Sequence, residues 1–118
     1  KGNPDRGRAL ELVRPAASLD EAVARLGAHA GAKPRLVASS AVWPAHKRAP
    51  APLTPAQVRD WCRDGPVLLC LGTAQGLAPE VLEHCEGQLR PLRFLGYNHL
   101  SVRSAAAILA DRILGDYC

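Results

Sequence analysis

Three short stretches carry residue types suited to holding a small polar ligand. They are Ser39-Ser40-Ala41, Gly72-Thr73-Ala74-Gln75-Gly76-Leu77 and Tyr97-Asn98-His99-Leu100-Ser101. Their glycines let a backbone approach a ligand closely and adopt positive φ. Their hydroxyl and amide side chains hydrogen-bond, and their leucines supply apolar walls. Asn98 and Ser101 stand where a helix should begin, and the first N–H groups of a helix, unpaired within it, suit a polar or anionic group. Ala105-Ala106-Ala107 then let another backbone come very close.

Several familiar chemistries are absent or weakly marked. There is no Gly-x-Gly-x-x-Gly and no Gly-Lys-Ser/Thr, so neither a dinucleotide fingerprint nor a P-loop is present. His99 reads as a general base or a structural donor. Arg103 reads as an anion partner or a surface pair. Glu80 and Glu83 belong to a solvated helix face, and Asp111 and Arg112 read as ordinary surface or interface pairs. His46-Lys47-Arg48 touches RNA or is a solvated linker.

The elements that must position these stretches alternate along the chain. Ala9–Arg14 has the pattern of a short strand ended by Pro15. Ser18 with Glu21 forms a capping box, and Leu19, Ala22, Val23 and Leu26 follow at helical spacing up to Gly31. Arg35–Ala38 is a second strand. Val42–Leu53, with Pro44, Pro50 and Pro52, reads as a mobile basic loop. Thr54-Pro55-Ala56-Gln57 is another capping box, with Val58, Trp61 and Cys62 on the buried face and Gly65-Pro66 as the stop. Val67–Leu71 has no polar residue, which predicts a strand at the centre of a parallel sheet, buried on both faces. A short helix from Pro79, a strand over Gln88–Arg93 and a last helix from about Ser101 to Leu114 complete the order. The alternation predicts an α/β fold, a parallel sheet with helices on both faces.

The bulk properties fit one small domain spanning residues 1–118. A hydrophobic fraction of 47% suffices for a core, and with 4% aromatics that core is aliphatic. The net charge of +4 and a pI near 9.2 favour a polyanionic partner, RNA above all. Cys62, Cys70, Cys85 and Cys118 form no C-x-x-C pair and are not flanked by histidines, which argues against metal. The first three sit in apolar contexts and read as small core hydrophobes; reduced thiols suit a cytoplasmic location. No run is apolar for long enough to predict a membrane span, and no signal peptide is recognisable.

The combination is more specific than its parts. Leu68-Leu69-Cys70-Leu71-Gly72-Thr73-Ala74-Gln75-Gly76-Leu77-Ala78-Pro79-Glu80-Val81-Leu82 comes first, followed by a strand bearing Pro91 and then Tyr97-Asn98-His99-Leu100-Ser101-Val102-Arg103-Ser104-Ala105-Ala106-Ala107-Ile108. This order resembles a bacterial family of S-adenosylmethionine-dependent RNA methyltransferases in the trefoil-knotted SPOUT superfamily. Asn3-Pro4-Asp5-Arg6-Gly7 and Ala38-Ser39-Ser40-Ala41 resemble further motifs of that family. The resemblance implies an enzyme with a C-terminal trefoil knot, the last helix being threaded through a loop of the preceding strands. It implies S-adenosylmethionine bound by Ser39, Ser40, Gly72, Thr73, Gly76, Leu77, Leu92, Asn98, His99, Leu100, Ser101 and Ser104. Asn3, Arg6 and Asn98 are the implied catalytic residues near the acceptor, a tRNA or rRNA nucleotide. A homodimer packed through the knot and last helix is implied as well. The chain departs from the family in two places. Ala74-Gln75 stands where Gly-Trp is usual, and the family's domain begins well before Asn3, so the resemblance implies an N-terminally truncated chain. Two other readings accompany this one: a non-catalytic RNA-binding remnant of the same fold, and an unrelated nucleotide-binding α/β module.

Overall fold

The computed structural model describes residues 4–39, 51–72, 76–92 and 100–115. In chain order the elements are α1 (Pro4–Glu11), α2 (Leu19–Ala30), β1 (Arg35–Ser39), β2 (Ala51–Leu53), α3 (Pro55–Asp64), β3 (Val67–Leu71), α4 (Pro79–His84), β4 (Gly87–Leu89) and α5 (Val102–Leu114). The four strands form one parallel sheet in the order β2-β4-β1-β3.

Helix starts are set by local hydrogen bonds. The Glu21 N–H donates to Ser18 Oγ at 3.1 Å, and Glu21 Oε2 accepts from the Ala17 N–H at 2.7 Å. At α3 the capping box is complete: the Gln57 N–H donates to Thr54 Oγ1 at 3.2 Å and the Thr54 N–H to Gln57 Oε1 at 2.8 Å. α2 ends at Gly31, whose φ of 73° is the left-handed conformation that favours glycine.

Strand alternation divides the core between the two faces of the sheet. Val37, Leu53 and Leu89 point to one face and pack with Val58 of α3 and Leu109 and Ile113 of α5. Leu36 and Ala38 point to the other, with Leu82 and Cys85 and the half-buried Leu19 and Val23 of α2. Full burial of a leucine such as Leu89 or Leu109, each 1% exposed, contributes roughly 1.5–3 kcal/mol. Gly87 leaves room for this packing, since a Cβ there would lie 2.5 Å from Leu53 Cγ.

α5 is also tied to α3 by a single side chain. The Arg59 guanidinium donates to the carbonyls of Ile113 (2.6 Å), Arg112 (3.0 Å) and Gly115 (3.1 Å). Those carbonyls lie at a helix C-terminus, where partners within the helix run out and a cation is favoured.

The structure corrects five expectations. Residues 4–11 are helix rather than part of a strand over 9–14, and α1 buries none of its residues. Leu10, Leu12 and Val13 are exposed, and among the described residues no strand pairs with this segment. The helix forms because its bonds are local and Pro4 and Asp5 suit a first turn. Second, β3 is an edge strand pairing with β1 alone among the described strands. Its apolar run reflects helices on both sheet faces, which cover an edge strand as well as a central one. Third, Ala51–Leu53 leaves the predicted loop to form β2, an edge position that tolerates Pro52. Fourth, Cys62 is exposed on α3, whereas Cys70 and Cys85 are buried. The expected strand over Gln88–Arg93 is shorter, Gly87–Leu89, and stops before Pro91. Among the described residues no helix is long and apolar enough to cross a membrane.

Candidate functional site

The register of the sheet brings its carboxyl ends to one level. Ser39 of β1 pairs with Leu71 of β3 on one side and Leu89 of β4 on the other, and Leu89 pairs in turn with Leu53 of β2. With neighbouring strands about 4.8 Å apart, the exits of β3 and β4 are separated by roughly 10 Å. The chain leaves β3 toward α4, on the Leu36 and Ala38 face, and leaves β2 toward α3, on the opposite face. Loops that diverge in this way open a crevice at the carboxyl edge, where open α/β sheets bind ligands.

Gly72 leaves β3 at this edge. A Cβ on Gly72 would lie 2.5 Å from the Gly76 carbonyl carbon, 2.7 Å from its oxygen and 2.8 Å from the Leu77 nitrogen. All three are backbone atoms, so a side chain there forces the turn itself to move. Gly76 has φ of 82°, again a glycine conformation. Gly72 and Gly76 therefore pack backbone against backbone where the chain leaves β3. Leu77 anchors its far end in the layer built on Leu36 and Ala38.

Beneath the turn, Cys70 and Cys85 face each other. Hydrogen bonding from Cys85 holds the Cys70 thiol below its ordinary pKa, against the desolvation that raises it. Cys85 is pushed strongly upward, first by that hydrogen bond and then by burial. Both are core groups below the crevice.

The sequence-predicted residues fall into three sets. Ser39, Gly72, Gly76 and Leu92 lie on or just beyond the carboxyl edge, with Leu77 following the turn. Ser101 and Ser104 lie at the start of α5, where the Ser104 N–H donates to Ser101 Oγ at 3.1 Å and the two hydroxyls are 2.9 Å apart. Leu100, half-buried, precedes them. Arg6 is exposed on α1. Asn3, Ser40, Thr73, Asn98 and His99 lie outside the described residues.

Beside Leu92 lies a cavity of about 300 Å³ that the reading of the sequence missed. It opens between the carboxyl ends of β2 and β4, and Leu109 and Arg112 of α5 close one side. Its walls come from residues near 54, 90 and 112, and no local motif signals their convergence.

The model of a family described as SAM-dependent RNA methyltransferase matches residues 1–115. The chain is 51% identical over 115 residues to a tRNA (guanine-N(1)-)-methyltransferase of Oleidesulfovibrio alaskensis, covering 97% of this chain and 26% of that protein. It is 46% identical over 117 residues to a protein of the same name from Nitratidesulfovibrio vulgaris, again covering 26% of the relative. The chain thus spans about a quarter of the length of these two relatives. In fold it is similar to a probable methylase family protein from Haemophilus influenzae, with a TM-score of 0.68 at 18% identity over 92% of this chain and 45% of that one.

Proposed function

We propose, for a chain that belongs to the SAM-dependent RNA methyltransferase family, that its carboxyl edge binds S-adenosylmethionine for methyl transfer to a tRNA nucleotide. The Gly72–Gly76 turn carries this reading, because it stands at the carboxyl edge and its backbone packs too closely to admit a Cβ at Gly72. A glycine turn suits a ligand recognised by backbone groups, and the half-buried Leu92 offers an apolar wall beyond β4 at the same edge. Bound S-adenosylmethionine supplies a methyl group already activated by its sulfonium, so the protein's main task is to align donor and acceptor.

The chain's own residues then divide that task. Ser39, Gly72, Gly76, Leu77 and Leu92 hold the nucleoside end, joined by Ser40, Thr73 and the stretch Asn98–Ser101 with Ser104. Asn3, Arg6 and Asn98 act near the acceptor. The Arg6 guanidinium presents a planar fork of N–H donors that matches a phosphate. It therefore serves to orient a phosphate, and the acceptor's proton leaves to another group. The name of the two relatives points to N1 of a guanine as the acceptor atom. Bound S-adenosylmethionine would supply the methyl group with loss of its S–CH3 bond to give the neutral thioether, and the N1 proton would pass to solvent water.

The reading extends to the SPOUT superfamily. It includes a C-terminal trefoil knot, a homodimer packed through α5 and a cytoplasmic location. The exposure of Val102 and Leu114, at the two ends of α5, supports the dimer.

Titration calorimetry with S-adenosylmethionine tests the cofactor site. Binding is expected for the natural chain and loss of binding for Gly72→Val. No binding at millimolar donor, or unchanged affinity in Gly72→Val with the fold intact, would refute it. Transfer of labelled methyl to bulk tRNA tests the reaction; a chain that binds both donor and RNA without transfer is a non-catalytic RNA-binding member of the family.

A further inference from the structure

We infer that the cavity between β2, β4 and α5 holds a nucleotide of single-stranded RNA, its base against the leucines and its phosphate on Arg90 and Arg112. The inference rests on the methyltransferase reading for its biological sense, but its geometry is independent of the cofactor turn.

The floor is apolar and well ordered by packing. Leu53, Leu89 and Leu109 line it, each buried in the core of the α3 and α5 face. A volume of about 300 Å³ is at the small end for ligand sites, enough for one flat heterocycle and too little for an extended cofactor. Prolines 52, 55 and 91 stand around the floor. Apart from the two arginines, Thr54 is the one polar side chain among the described lining residues, and its oxygen accepts from the Gln57 N–H, so the walls offer few side-chain groups to read a base edge. Such a pocket takes a base by shape and apolar contact, with little sequence preference.

The rim is cationic. Arg90 and Arg112 are both exposed, and no acidic side chain is among the described residues that line the cavity. Arg8, Arg25, Arg35 and Arg63 are committed to carboxylates elsewhere, whereas neither Arg90 nor Arg112 makes an ion pair among the described residues. Two guanidinium groups over an apolar floor match the charge and shape of a nucleotide better than those of a neutral or cationic ligand. The rim is also held in place. Arg59 grips the carbonyls of Arg112, Ile113 and Gly115, and the buried Pro91 follows Arg90 directly.

Position decides which nucleotide it is. Leu89 belongs to the cavity, and its neighbour across the sheet is Ser39, at the carboxyl edge. Gly72 leaves β3, two strand spacings or about 10 Å from β4. Leu92 lines the cavity and belongs to the proposed donor site as well, so a base in the cavity lies at the edge of that site, about 10 Å from the Gly72 turn, and belongs to a nucleotide beside the methylated one.

The test is anisotropy of a labelled short single-stranded oligoribonucleotide, read over a salt series, with the natural chain and the double variant Arg90→Ala/Arg112→Ala. We expect about a tenfold or larger loss of affinity, and a salt dependence shallower by about 0.7 in log–log slope per arginine removed. Both side chains are exposed, so the melting temperature should not move. An oligonucleotide with abasic positions should bind the natural chain more weakly than its intact counterpart. Equal affinity and equal salt slope in the double variant would overturn the assignment, and equal binding of the abasic strand would overturn the base pocket. Calorimetry with S-adenosylmethionine on the same samples separates the two readings. Failure of donor binding in the natural chain counts against the cofactor site alone, and failure of the arginine effect counts against the cavity alone.

Discussion

α1 and α5 are both arginine-bearing helices with a sound first turn, yet only one belongs to the core. α5 buries Leu109 and Ile113 against the sheet and α3, and its last carbonyls are gripped by Arg59. α1 buries nothing, and the apolar residues at and beyond its end are strongly exposed, Leu10 by 62%, Leu12 by 81% and Val13 by 69%. Helical hydrogen bonds are local and need no partner, whereas burial requires a surface to meet. An apolar residue thus reports a core position only where the fold supplies the opposite face.

The contrast can be broken most sharply at Leu109. Leu109→Ala should lower unfolding free energy by about 2–5 kcal/mol in a denaturant titration, because the cavity left behind cannot collapse under two packed layers. A loss under about 1 kcal/mol would mean that α5 is no better anchored than α1. Gly87→Ala comes next, at about 1–3 kcal/mol, since its Cβ would press into the Leu53 side chain. Truncating Leu53 in the same chain should recover part of that loss as a coupling energy in a double-mutant cycle. Arg59→Ala should cost about 1–2 kcal/mol and speed hydrogen exchange in the last turn of α5. Arg59→Lys should rescue little, because an ammonium cannot span three carbonyls as a planar fork does. The smallest effect belongs to α1: Leu12→Ser should change stability by no more than about 0.5 kcal/mol. A larger loss would show that α1 docks onto something and would sharpen where its partner lies.

Legibility followed the range of the forces. Ser18, Thr54 and Ser101 cap helices at the places their side chains indicated, because a cap is a bond between residues three apart. The two-sided apolar run Val67–Leu71 was read correctly as a strand and incorrectly as a central one. Its hydrophobicity reports two covered faces and is silent about hydrogen-bonded neighbours. The leucine and valine alternation over 9–14 suggested a strand for which the sheet has no place among the described residues. In the candidate site, Gly72 and Gly76 were legible because their backbone demands leave a glycine signature, and Ser39 followed from its place after an apolar strand. Arg90 and Arg112 were not, since an arginine past a strand end or on a helix face looks the same whether it meets solvent or the mouth of a cavity.

By itself, then, the sequence determined the starts of α2 to α5, the glycine turn, the parallel α/β character and the aliphatic core, all of which arise from interactions within a few residues or from side-chain alternation. Tertiary structure alone decided the strand order β2-β4-β1-β3, the exposure of every residue of α1, and the meeting of Thr54, Arg90 and Arg112 around one cavity. Those depend on which surfaces bury one another, and segments more than twenty residues apart in the chain are brought to that choice only by packing.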